Sequence, residues 1–134
     1  MIFELLKEIE KEVNRDEYIS YGASYFLAVE RLDFPITDRT SLQQFFVKLE
    51  AEIEEASLQP TEITDRSADF KRINEVWHLK EDIADRYMNI IKDADVYYRP
   101  FDKDDVLSKG NVNDIFRIVK KGNELVLIEF YACD

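Results

Sequence analysis

Ile2, Leu5, Leu6, Ile9 and Val13 recur at three- and four-residue intervals, which predicts an amphipathic helix over about residues 2–13. From Tyr18 to Leu32 the chain is apolar on nearly every side: Tyr18, Ile19, Tyr21, Ala23, Tyr25, Phe26, Leu27, Ala28, Val29 and Leu32. Read as a second helix over 17–32, this stretch belongs in the middle of a bundle, where a helix is buried all round. Thr40 with Gln43, or Ser41 with Gln44, forms a capping box that opens a third helix over 41–56, with Leu42, Phe45, Phe46, Leu49 and Ile53 on one stripe. The longest predicted helix spans 66–92, with Phe70, Ile73, Trp77, Ala84, Tyr87 and Ile91 as its core stripe and Trp77 largely buried.

The last part of the chain changes period. Residues 115–119 and 125–131 are β-branched and aromatic runs on either side of Gly122-Asn123, the pattern of a hairpin. Tyr97-Tyr98-Arg99-Pro100 reads as a short edge strand, because Pro100 cannot donate to a ladder. The expected fold is therefore α+β: a four-helix, mostly helical domain with a C-terminal antiparallel β-hairpin or small sheet packed on the helices. No repeat or Ser/Gly linker interrupts residues 1–134, so one domain is expected.

Composition narrows the chemistry. The 134 residues are 46% hydrophobic, and 29 acids against 18 bases give a formal net charge of −11. A chain this rich in Phe and Tyr is not an acidic disordered tail. The field of such a protein repels phosphate backbones, so nucleic acid is excluded as an expected partner. No apolar stretch is long enough to span a bilayer, and the first residues do not read as a signal peptide. With Cys133 as the sole cysteine, no internal disulfide framework is possible, and a reducing, cytoplasmic setting is expected.

No motif assembles a catalytic or metal centre. Glu75-Val-Trp-His78 has the Glu-x-x-His spacing of di-metal bundles, but His78 is the single histidine and the second motif is missing. Asp102-Lys103-Asp104-Asp105 lacks the Gly and Glu of a calcium loop, and the three glycines are too scattered to cradle phosphate. On a continuous helix Ser67 lies about three turns from His78, so no nucleophile reaches it. Neither a catalytic residue, nor a metal, nor a cofactor is assigned. The alternative is a small metal- or carboxylate-dependent enzyme in which His78, Asp82 and Asp85 share one helix face.

The acids are unevenly placed. Between Glu50 and Asp65 stand Glu50, Glu52, Glu54, Glu55, Glu62 and Asp65 with no base among them. At the end of the predicted third helix the macrodipole favours cations, and each acid placed there costs about 0.3–1 kcal/mol at low ionic strength. Local rules broken without compensation mark functional surface. A second group, Asp102, Asp104 and Asp105, follows Tyr97 and Tyr98, which supply aromatic anchors of the kind enriched at interface centres. In class, a small, acidic, motif-free chain resembles the inhibitors that bacteria keep against basic nuclease toxins, the immunity proteins and antitoxins. That resemblance implies carboxylates presented where a nuclease expects phosphates. The functional expectation is an acidic protein that binds and neutralises a basic protein partner through Glu50, Glu52, Glu54, Glu55, Tyr97, Tyr98, Asp102, Asp104 and Asp105.

Overall fold

The computed structural model describes residues 1–16, 18–20, 23–32, 58–101 and 114–133. The described elements run α1 (Ile2–Asp16), β1 (Tyr18–Ser20), β2 (Ala23–Arg31), β3 (Leu58–Glu62), α2 (Arg66–Trp77), α3 (Glu81–Asp93), β4 (Val96–Phe101), β5 (Asp114–Lys121) and β6 (Glu124–Cys133). All six strands join one antiparallel sheet in the order β1-β2-β6-β5-β4-β3. The three described helices pack on one face of it.

This corrects the predicted architecture. The fold is α+β, but its centre is a sheet rather than a four-helix bundle with a small C-terminal hairpin. The largest error is the 17–32 helix, which is the hairpin β1–β2. Tyr25, Leu27 and Val29 are buried while Phe26, Ala28 and Glu30 alternate with them at lower burial. That is the period of two of a strand. Apolar residues on both faces of the sheet hide it, because a strand with two apolar faces and a helix apolar all round look alike in sequence. The predicted 41–56 helix lies outside the described residues.

The predicted 66–92 helix is real in content but broken. After Trp77 its stripe would continue at Lys80 or Glu81, and both are charged. Instead α2 stops, His78 takes the left-handed conformation at φ 50°, ψ 49°, and α3 starts in a new phase with Ile83, Tyr87, Ile90 and Ile91 buried. Asn74 closes the break: its carbonyl accepts from His78 N at 2.9 Å and its side-chain Oδ1 accepts from Leu79 N at 2.9 Å. At the other end of α2, Asp65 Oδ1 accepts from Ala68 N at 3.0 Å, an N-cap. Arg66 Nη1 donates to the carbonyls of Ile91 and Ala94 at 2.6 and 2.8 Å, which satisfies orphan groups at the end of α3.

Helix α1 keeps its predicted stripe, with Ile2, Leu6, Ile9 and Val13 buried, although Leu5 is 47% exposed. Its polar side chains have a second task. Beyond the three residues paired to β1, β2 has an open side, and α1 answers it: Asn14 exchanges two hydrogen bonds with the Leu27 backbone, and Glu10 Oε2 accepts from Val29 N at 2.6 Å. An unpaired strand edge is thus covered by side chains instead of another strand.

The β5–β6 hairpin forms as predicted. Gly122 takes φ +59° while Asn123 keeps a negative φ, the φ pattern of a type II′ turn, for which glycine at the first position is suited. Strand β4 corrects the edge assignment, since it pairs with both β5 and β3. The β3–β4 register shifts between Leu58 and Thr61, so Pro60 and Pro100 sit where the ladder is interrupted and no proline N–H is required. The core under the helices joins Leu6, Ile9, Leu27, Val29, Ile73, Trp77, Tyr87, Ile128 and Phe130. Trp77 is 2% exposed, as predicted, and meets Tyr25 and Phe130 edge-on at 5.1 and 5.7 Å.

Candidate functional site

Of the residues read as partner-facing, Glu50, Glu52, Glu54, Glu55, Asp102, Asp104 and Asp105 lie outside the described residues. Tyr97 and Tyr98 are inside the fold. Tyr97 is fully buried under the helices, and Tyr98 is buried on the opposite face of β4, the face that also carries buried Phe116, Ile118 and Leu127. Neither ring is a surface anchor as it stands. Successive residues of a strand point to opposite faces, so Tyr97 joins the core packed by the helices while Tyr98 lies on the other face beside Ile118.

The His78 constellation also changes. Because α2 ends at Trp77, the i, i+4, i+7 geometry that would align His78 with Asp82 and Asp85 does not exist. Among the described residues no group of three His, Cys, Asp or Glu side chains is placed to hold a metal ion. His78 instead lines an open groove of about 480 Å³ between α2 and α3, with Phe70, Ala84 and Met88 on its apolar part and Ser67, Lys71, Asn74, Glu75 and Asp85 around them. Ser67 and His78 share this groove but remain eleven residues of helix apart, about 16 Å.

The structure brings together a polar cluster that was not among the residues singled out from the sequence. Arg117 on β5 is completely buried on the helix-covered face. Its Nε and Nη2 grip both oxygens of Asp69, in the first turn of α2, at 2.9 and 2.7 Å, and its Nη1 donates to the Phe116 carbonyl at 2.8 Å. This is the bidentate arrangement that a guanidinium and a carboxylate favour. Tyr97 donates to Asp69 Oδ2 at 3.5 Å, and the Tyr87 and Tyr97 hydroxyls are 2.9 Å apart, so a chain of polar contacts runs from α3 through β4 to α2 and β5. Burial pushes both phenols well above the ordinary tyrosine range, which keeps them protonated as donors. On the outer side Arg72 approaches Asp69 at 3.5 Å.

One sequence signal pointed at this cluster. In Ile115-Phe116-Arg117-Ile118-Val119 a lone charge interrupts an apolar run, and a buried strand tolerates that only when the charge is paired. The partner, 48 residues away, is invisible locally. Chemically the cluster orients groups and holds charge; it contains no nucleophile beside a base.

The described residues carry 18 acids and 14 bases, a balance of −4. Within the described fold, acids meet cations repeatedly: Glu12 with Arg86, Glu4 with Arg31, Glu10 with Lys7, and Asp93 and Asp95 with Lys121. No helix among the described residues is long and apolar enough to cross a membrane.

Comparison with known proteins returns nothing for this chain: no family model, no curated protein and no solved structure matches it.

Proposed function

We propose that this protein is an acidic interaction protein that binds and occludes a basic protein partner, in the manner of an immunity or antitoxin-type inhibitor of a nuclease toxin acting in the cytoplasm. The observation that carries the reading is the segregation of charge. The run from Glu50 to Asp65 holds six acids and no base, and residues 33–57 as a whole hold six acids against two bases. Charge placed in blocks, rather than spread, steers association and fixes register with a partner of opposite sign. Glu50, Glu52, Glu54, Glu55, Asp102, Asp104 and Asp105 are the acids assigned to that role. Tyr97 is withdrawn from it, because its hydroxyl is committed to Tyr87 and Asp69 in the interior.

The test is capture from extracts of the source cell, repeated over a salt series. Captured proteins are expected to be basic, and their association rate to fall as the Debye length shortens from about 30 Å at 0.01 M to about 8 Å at 0.15 M. Replacing Glu52, Glu54 and Glu55 together with Gln is expected to slow association while leaving the melting temperature unchanged or slightly higher. Capture of acidic proteins alone, or association indifferent to salt, overturns the reading.

A further inference from the structure

The break between α2 and α3 builds the open groove that His78 lines. On one continuous helix, Glu75 and Asp85 would lie about 15 Å apart along the axis. The left-handed turn at His78 redirects the chain, so that Glu75 on α2 and Asp85 on α3 wall the same groove of about 480 Å³. That volume falls within the range of about 300–1,000 Å³ over which protein clefts receive ligand groups.

The floor of the groove is apolar. Phe70 is 5% exposed, while Ala84 and Met88 pack on the core but stay partly open to water. Methionine adapts its shape to what enters. The rim is charged: Lys71, Glu75 and Asp85 sum to 1 − 2 = −1. Among the described residues, no cation or hydrogen-bond donor meets the carboxylate of Glu75 or Asp85, although Glu10, Glu12 and Asp69 each hold a cation. Lys71 stands one helical turn from Glu75 without forming an ion pair with it. An apolar floor bounded by unpaired carboxylates from both helices complements a group that is apolar along its length and cationic at its tip.

We propose that this groove is the socket for an arginine side chain of the basic protein partner, an assignment that rests on the reading of this protein as the binder of such a partner. The aliphatic stem of the arginine covers Ala84 and Met88, and its guanidinium fork reaches Glu75 and Asp85. A lysine ammonium is more strongly hydrated and acts as a point charge, so it suits two carboxylates on separate walls less well. Arginine is also among the residues that concentrate binding energy at interface centres. To the charge of the acid-rich stretches the socket adds a requirement of shape.

The experiment is an amide-resolved NMR titration of the full chain with butylguanidinium chloride, with butylammonium chloride and sodium butyrate as separate arms at matched ionic strength. Saturable shifts in the groove, including Phe70, Ala84 and Met88, are expected with butylguanidinium, weaker ones with butylammonium and none with butyrate. Glu75→Gln with Asp85→Asn alters two exposed positions and is expected to weaken butylguanidinium binding about three- to tenfold. In capture from extracts of the source cell, the same double variant is expected to hold basic proteins less tightly than the parent does at equal salt. No saturable shift in the parent protein overturns the socket, whether or not the variant folds. An equal response to butyrate, or undiminished affinity in the double variant, overturns it as well. Basic proteins held equally by parent and variant also overturn it, while leaving the reading of a basic partner intact. Capture of acidic proteins alone by the parent overturns that reading itself, and with it the source of the arginine, a failure told apart because the titration contains no partner.

Discussion

Arg117 and Lys121 lie four residues apart on β5, and both meet aspartates, but in opposite surroundings. Arg117 is 0% exposed and its partner Asp69 11%, whereas Lys121 is 41% exposed and its partners Asp93 and Asp95 are 80% and 52%. At the hairpin end, water solvates each charge nearly as well apart as together, so the pair adds little. Under α2, removing either partner strands a charge in a medium that cannot solvate it. A cation–aspartate pair thus acts as a trim at one end of the strand and as a latch at its middle. The lesson is that burial together with close, bidentate contact makes the Arg117–Asp69 pair the one that fixes α2 on the sheet.

The comparison breaks most readily at Arg117. Arg117→Ala or Asp69→Ala is expected to destabilise the fold by about 3–5 kcal/mol in urea denaturation. The double variant Asp69→Leu with Arg117→Met should cost far less than the two single losses combined, because no charge is left stranded. Strict additivity would show that the pair is not acting as a unit.

Alkaline pH sharpens the contrast next. Burial pushes the Tyr98 hydroxyl up to about 12, and raises Tyr87 and Tyr97 as well. A folded value above the unfolded one means that the stabilisation is complete below pH 10 and is lost as pH rises toward 12. From Tyr98 alone the loss is on the order of 2–3 kcal/mol. Tyrosinate absorbance from these buried rings should appear with unfolding; ionisation of all seven tyrosines while circular dichroism stays native would refute the burial argument.

A smaller effect is expected at the break between α2 and α3. His78 adopts φ 50°, where a residue with a Cβ is disfavoured by about 1–2 kcal/mol. His78→Gly relieves that strain, and after the added unfolded-state entropy of glycine it should stabilise by about 1 kcal/mol or less in thermal melting. A clear loss instead would mean that the imidazole itself makes a stabilising contact in the groove. The smallest effect belongs to Lys121→Ala, expected within about 1 kcal/mol of the parent and diminishing with added salt. A loss comparable to Arg117→Ala would erase the distinction between the two pairs.

Legibility of the fold followed the locality of its causes. Helix α1 and the β5–β6 hairpin were readable because each carries a single clean period: Ile2, Leu6, Ile9 and Val13 on one side, and the runs flanking Gly122-Asn123 on the other. The α2–α3 break was half legible. Lys80 and Glu81 on the expected stripe were the warning, but neither a glycine nor a proline marked the stop, and the closing bonds come from Asn74. The β1–β2 hairpin was not legible as strand, because residues such as Phe26 and Ala28 are apolar too, and two apolar faces cancel the alternation.

For the site, the sequence by itself determined the charge of −11, the base-free run of acids from Glu50 to Asp65, the lack of any histidine pair, and a single arginine set in an apolar strand. These are properties of composition and neighbours along the chain. Only the tertiary structure decided that Tyr97 would be an interior donor instead of a surface anchor, and that Arg117 would be gripped by Asp69 in the first turn of α2. It also decided that Glu10 and Asn14 would close the edge of β2. Each of these depends on which distant segments share a low-dielectric interior, and hydrogen-bonding groups select their partners there by proximity in space, which local sequence preference does not encode.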